Sequence, residues 1–381
     1  MKTWQHLMTP DHLFGLIEQY CAFGIHRTGW EADERATEWL IGVLAQHGVS
    51  ASSHAFEFPC VETKAAYVEV DGRQIEGTPL YDGASTGSEG IFGRLALPEG
   101  ELSGSSLLVM DDARRLPQIL ETSPEAPSGV ILITGDAKGD IVLRNAERID
   151  DPFALPVIQV ARKDAALLLD AEGKTARIVL DFQRPISTAT NVIGRLESPA
   201  ARGLVVVMTP KSGWFTCASE RGGGIAITLA LAAYLAGLKE RQKEVLFLFT
   251  SGHEINQYGL ACLLRDNPGL RDEAEAWVHL GASIGASRQT WWRLYSRDDE
   301  LRARFTDSLS REGFDDIPWA DKDERPVGES KQVYDKRFVS IIGMHDYFHG
   351  PNDIPSLAVD ANRVASFGRA FARLLTDLVS A

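Results

Sequence analysis

Apolar residues in the N-terminal part of the chain recur at helical spacing. Thr9-Pro10 supplies an N-cap and a proline suited to a first helical turn, and DHLFGLIEQYCAF continues it as one helix. EADERATEWLIGVLAQH predicts a second, with Ala36, Leu40, Val43 and Leu44 on one face and Gly48 just past its end. SASSHAFEF then alternates as a strand does. From about Val61 to Ile186 the pattern breaks into short β-like runs (AAYVEV, SSLLVM, GVILIT, DIVLRN, ARIVLDF) separated by Gly, Pro, Asp and Ser turns, which predicts an inserted β-rich unit. After Asn191 it changes again. GLVVVM and EVLFLFTS are continuous apolar runs, as strands buried on both faces are, and the glycine-opened helix GGGIAITLALAAYLAGLKE joins them. Such a strand–helix–strand crossover implies a parallel or mixed sheet covered by helices. AWVHLGAS and FVSIIGM add two strands, and WWRLYSRDDELRAR reads as a strand edge followed by a surface helix. Asp360 caps a closing helix, Asn362 to Ser380. The expected fold is α/β: a mixed, mostly parallel sheet sandwiched by helices from residues 1–60 and 187–381, with a β-rich insert over 61–186.

Composition narrows the class. The 381 residues, at roughly 150 per domain, fit two or three units, and 44% hydrophobic with 24% charged residues is ordinary globular usage. The formal charge is −14 with no basic run, which argues against nucleic-acid phosphates as partners. No apolar stretch has the length of a membrane span, and MKTWQHLMTPDHLF lacks the apolar core of a signal peptide. Cys21, Cys60, Cys217 and Cys262 form no close-spaced pair, so neither a zinc knuckle nor a disulfide framework is indicated. The expectation is a cytoplasmic protein acting on a small molecule or short peptide, with self-association left open.

Ligands of open α/β sheets bind beyond the carboxyl ends of the strands. GLVVVM is followed by TPKSGWFTCASERGGG, with Glu220 and Arg221 just before a helix. EVLFLFT is followed by SGHEINQYGL, with His253 and Glu254 adjacent. His279 lies within AWVHL, and FVSIIGM leads into HDYFHGPND with His345 and His349. Topology alone thus brings carboxylates and imidazoles to one rim, a donor set suited to a divalent metal of the zinc type. Each residue by itself also reads as an ordinary solvated or hydrogen-bonded loop side chain.

These segments resemble the co-catalytic zinc aminopeptidase family, which also holds glutaminyl cyclases and the non-enzymatic transferrin receptors. HRTGWEADERATEWLIGVLAQHGV is similar to its opening helix, and STATNVIGRLES to the strand after an inserted protease-associated domain. ASERGGGIAITLALAAYL, FLFTSGHEINQYGL and YFHGPNDIP are similar to its three metal-site segments. The resemblance implies a hydrolase with two metals, but several positions differ. The first ligand, His, falls on Pro210, the bridging Asp on Glu220, the general-base Glu on His253 and a further Asp on Gly281, whereas Glu254 and His349 keep the family residue. Pro210 and Gly281 belong to the same metal, so the resemblance implies one ion, zinc first, held by Glu220, Glu254 and His349.

Three roles suit His253: general base, additional ligand, or hydrogen-bonded loop residue. Arg221 and Lys211 would anchor an anionic substrate group, with Ser212, Trp214 and His345 lining the site. Cys217 reads either as a nucleophile or as a small core residue. Glycines after Arg221 would leave N–H groups at a helix start for an anion or oxyanion. The leading expectation is a single-metal hydrolase of an amide-type bond in a small, anionic substrate, with His253 and Glu220 catalytic. The alternatives are a catalytically inactive binding protein on the same fold, and a metal-free enzyme using Cys217, His253 and Glu220.

Overall fold

The computed structural model describes residues 4–100, 102–115, 126–198, 201–238 and 241–380. Contacts divide the chain into two units: residues 1–57, 188–348 and 352–381, and residues 58–187 with 349–351.

The first unit is built on a seven-stranded sheet of β1 (Ser50–Pro59), β9 (Ile186–Leu196), β10 (Leu204–Pro210), β11 (Glu244–Thr250), β12 (Ala274–Leu280), β13 (Gln289–Tyr295) and β14 (Phe338–His345), in the order β1-β9-β11-β10-β12-β14-β13. The sheet is mixed. The four central strands, β11-β10-β12-β14, pair parallel, while β9 pairs antiparallel with β11 and β13 antiparallel with β14. β10 and β11 run in register from Leu204 opposite Glu244 to Pro210 opposite Thr250.

Continuous apolar runs are what such central strands need, because successive side chains enter opposite cores. Val205 and Val207 join Val245, Phe247 and Phe249 in one hydrophobic cluster; Leu204, Val206 and Met208 join Leu246 and Leu248 in the other. The first cluster is roofed by helices Pro10–Cys21, Glu31–Gln46, Gly223–Ala236 and Ala361–Ser380. Helix Gly223–Ala236 is apolar on every side because it is almost wholly buried. Thr9 caps the first helix by accepting the His12 N–H, and Asp360 caps the last by accepting the N–H groups of Asn362 and Arg363.

The second unit is a closed seven-stranded barrel of β2 (Glu62–Val70), β3 (Arg73–Pro79), β4 (Gly87–Ala96), β5 (Ser106–Met110), β6 (Gly129–Thr134), β7 (Val157–Ala161) and β8 (Thr175–Gln183), in the order β2-β3-β7-β6-β5-β4-β8. DIVLRN is not a strand. The Val142 N–H is taken by the Thr134 hydroxyl and the Arg144 N–H by the Gln159 side chain, which replaces a ladder with side-chain bonds. Among the described residues no helix is long and apolar enough to cross a membrane.

Candidate active site

The carboxyl ends of β10 and β11 start the site. Lys211 follows β10 and donates its N–H to the Thr250 carbonyl at 2.7 Å, which carries the strand pairing one step further. Its ammonium is fully buried on the carboxylate of Asp33, from helix Glu31–Gln46, and reaches the Asp33 carbonyl at 3.1 Å. The other Asp33 oxygen accepts from the Ser251 hydroxyl at 2.6 Å and the Gly29 N–H at 3.1 Å. A buried ion pair is tolerable when its remaining lone pairs are met in this way. Lys211 therefore serves Asp33 and is not placed to hold a substrate anion.

Glu254, after β11, is equally committed. One oxygen accepts both the N–H and the hydroxyl of Thr28, each at 2.7 Å, and the other accepts the Ser212 hydroxyl at 2.7 Å. Ser212 Oγ in turn accepts the Gly252 N–H at 2.9 Å, which fixes the turn that presents His253.

Glu220 and Arg221 form a second buried pair, the guanidinium reaching the Glu220 carboxylate at 2.5 Å and donating through Nε to the Ser212 carbonyl at 2.8 Å. They sit on a π-helical turn, Ala218–Gly222, entered through Cys217 in the left-handed region. The anion at the start of this helix is the protein's own Asp353. It accepts the N–H of Ser219 at 2.7 Å and of Glu220 at 3.0 Å, so these groups are not available to a substrate oxyanion. His345 Nε2 lies 3.4 Å from Asp353 and its Nδ1 bonds the Ser283 hydroxyl at 2.9 Å, so His345 supports the loop from inside.

Cys217 is also internal. Burial, reinforced by the charges of Glu220 and Asp353, pushes its thiol well above the ordinary range, and its Sγ donates to the Phe215 carbonyl at 3.2 Å. A neutral, enclosed thiol is a packing group rather than a nucleophile. Trp214 is buried beneath the Arg27 guanidinium, 5.1 Å from its ring.

His253 has a different character. Its Nδ1 lies 2.9 and 3.1 Å from the two oxygens of Glu329, a residue on the short 3₁₀ segment Gly328–Val333. His279 Nε2 lies 3.3 Å from the same carboxylate, and His279 Nδ1 bonds the Ser340 hydroxyl at 2.8 Å. Gly328, at φ +68°, takes the left-handed backbone that leads into this segment, a conformation L side chains rarely adopt. Burial alone would raise the Glu329 carboxyl, but the two imidazoles hold it well below the carboxylate range. Burial and the nearby Arg221 charge push His253 below its ordinary 6.5, against the opposing pull of Glu329. The result at neutral pH is a carboxylate that fixes Nδ1 as the protonated nitrogen and leaves Nε2 basic. Sequence reasoning missed Glu329, because it lies 76 residues from His253 in a segment with no strand before it.

The set Glu220, Glu254 and His349 does not fit a divalent metal. Glu254 already accepts three donors, and Glu220 is held by a buried, permanently charged guanidinium. His349 groups with the barrel unit, where its carbonyl accepts the Leu143 N–H. At Gly281, a Cβ would stand 2.6 Å from the Ile341 carbonyl, so no ligand side chain has room. Among the described residues no three His, Cys, Asp or Glu side chains are grouped to hold an ion.

No family model and no curated protein matches the sequence. Solved structures do. A zinc aminopeptidase from Bacillus subtilis superposes with a TM-score of 0.80 at 15% identity, over 98% of this chain and 95% of that one. A peptidase M28 precursor from Shewanella amazonensis gives 0.77 at 14% identity, covering 97% and 93%. A glutaminyl cyclase from Porphyromonas gingivalis gives 0.55 at 12% identity, covering 98% and 99%. The chain thus has the zinc-aminopeptidase fold, which glutaminyl cyclases share, and at these identities the likeness speaks for the fold alone.

Proposed function

We propose that the protein is a hydrolase of an amide-type bond in a small substrate, working on the aminopeptidase fold with an imidazole–carboxylate pair in place of a metal centre. The observation that carries this reading is the bond between His253 Nδ1 and the buried Glu329 carboxylate. In this reading Nε2 of His253 takes the proton of the attacking water and returns it to the leaving nitrogen, while Glu329 orients the ring and stabilises its charged form. That the similar structures include an aminopeptidase and a glutaminyl cyclase supports chemistry at an amide or at a terminal amine. Lys211 and Arg221 are neutralised by Asp33 and Glu220, so nothing in the site calls for an anionic substrate. In this reading Glu220 acts as the internal counter-charge of Arg221, and Glu254 gathers the donors of Thr28 and Ser212. The inserted barrel takes the place of the family's protease-associated domain.

The test is turnover of a panel of dipeptides, aminoacyl amides and N-acyl amino acids by chelator-treated protein, with its metal content measured in parallel. We expect turnover that survives chelation and falls about 10²–10⁴-fold in His253→Ala. Turnover restored only by added zinc would return the reading to a metal enzyme. Absence of turnover on the whole panel would favour a binding protein on an enzyme fold, and its persistence in His253→Ala would remove His253 as the general base.

A further inference from the structure

The turn that carries His253 is held from two sides. On the downstream side its own backbone does so. The Gly252 carbonyl accepts the N–H of Tyr258, the first residue of helix Tyr258–Asp266, at 2.9 Å, and the His253 carbonyl accepts that of Gln257 at 3.3 Å. Gly252 has φ +80°, and a Cβ there would stand 2.8 Å from the Gly259 nitrogen, so only glycine follows this path without strain. On the upstream side the backbone donates to side chains. The Gly252 N–H lies 2.9 Å from Ser212 Oγ and 3.0 Å from Thr28 Oγ1, and the His253 N–H lies 3.3 Å from Ser212 Oγ.

A hydroxyl carries one proton and two lone pairs, and these two hydroxyl oxygens lie 3.1 Å apart, so either could give its proton to the other. Glu254 prevents that. One of its oxygens takes the Thr28 hydroxyl and the other takes the Ser212 hydroxyl, each at 2.7 Å. Both protons point at the carboxylate, and both hydroxyl oxygens are left as acceptors for the turn. Thr28, Ser212 and Glu254 are all buried, so water does not compete for these bonds. An amide of the same shape would offer an acceptor on one side only and a donor on the other. We propose that Glu254 is a positioning residue for His253: its carboxylate orients the Thr28 and Ser212 hydroxyls, and through them the backbone that aims the imidazole at Glu329. The proposal rests on the reading of His253 as general base, and its test separates the two.

The readout is the Nδ1–H signal of His253 in NMR of the histidine-labelled full chain, identified by its loss in His253→Ala, with kcat, KM and metal content measured in parallel. Glu254→Gln turns an amide N–H₂ toward one hydroxyl. It should shift that signal, speed its exchange with water, and lower kcat about 10- to 10²-fold with little change in KM. Thr28 separates hydrogen bonding from packing, because Thr28→Val keeps the volume and loses the hydroxyl, whereas Thr28→Ser loses a methyl and keeps the hydroxyl. Thr28→Val should behave like Glu254→Gln, and Thr28→Ser like wild type. A signal and a kcat that ignore both Glu254→Gln and Thr28→Val would overturn the assignment, as would a Thr28→Ser protein as impaired as Thr28→Val. Loss of bound metal in Glu254→Gln would overturn it as well, by making Glu254 a ligand. A wild-type Nδ1–H signal that does not respond to Glu329→Gln would overturn the reading of His253 itself, and this assignment with it.

Discussion

The carboxylate of Glu329 lies 2.9 Å from Nδ1 of His253, and both groups are buried at the rim of the central sheet. One anion on one imidazole nitrogen determines which nitrogen is basic, and that is a chemical choice rather than a packing one. His279, on the same carboxylate, is tied to the Ser340 hydroxyl and stays inside the protein.

Glu329→Gln keeps the shape of the side chain but removes its charge. Turnover should fall about 10²–10⁴-fold, since an uncharged amide can neither hold the tautomer nor stabilise the imidazolium. Glu329 raises the His253 pKa, so its loss should also move the acid limb of the rate profile to lower pH. A purely structural role would lower Tm while leaving that limb in place.

In the wild-type protein the acid limb should lie below pH 6.5, because burial and Arg221 hold His253 under that value. A general base works in its neutral form, so the rate is complete at neutral pH and is lost as pH falls through the folded-state pKa. An NMR titration of His253 and the pH profile of kcat/KM should agree on the midpoint. A midpoint above 6.5 would contradict the buried environment of the ring.

Patterns of period two and 3.6 exposed most of the fold. GLVVVM and EVLFLFT became the in-register pair at the sheet centre, and AAYVEV, SSLLVM, GVILIT and ARIVLDF became barrel strands. β3 and β4 (RQIEGTP and GSEGIFGRLA) escaped notice because their glycines read as turns. DIVLRN has strand-like residues but gives its N–H groups to side chains. The site was legible in position and not in partnership. Topology places Lys211, Ser212, Glu220, Arg221, His253 and Glu254 at one rim, but their partners are Asp33, Thr28, Asp353 and Glu329, and the first two come from helix Glu31–Gln46 and the loop before it. Sequence spacing carries no signal for pairs formed by chain segments so far apart.

The Lys211–Asp33 pair gives a stability prediction. Lys211→Met removes a fully buried cation and strands a buried carboxylate, which should cost about 3–5 kcal/mol. Adding Asp33→Asn should recover part of that loss, because the stranded charge is gone. Chemical denaturation of both single variants and the double variant measures the coupling. A double variant no more stable than the sum of the single losses would mean that the two residues act independently.

His26 supplies a pH-dependent term separate from the site chemistry. Its ring stacks on Tyr20 with centroids 3.7 Å apart, and burial, together with the Lys211 charge, pushes it down to about 3. The unfolded chain binds a proton near pH 6.5 and the folded chain does not, so the unfolded state holds more protons between 6.5 and about 3. Stability from this group is therefore complete above pH 6.5 and is progressively lost as pH falls below it. At about pH 5 the loss amounts to roughly 2 kcal/mol relative to neutral pH. His26→Phe retains an aromatic ring on Tyr20 and cannot titrate. The difference in unfolding free energy between about pH 7.5 and about pH 5 should shrink by roughly that amount in the variant. Any packing cost of the larger ring enters at both pH values and cancels in the comparison. Urea denaturation at the two pH values decides it, and an unchanged pH dependence would mean that His26 is already protonated in the folded protein.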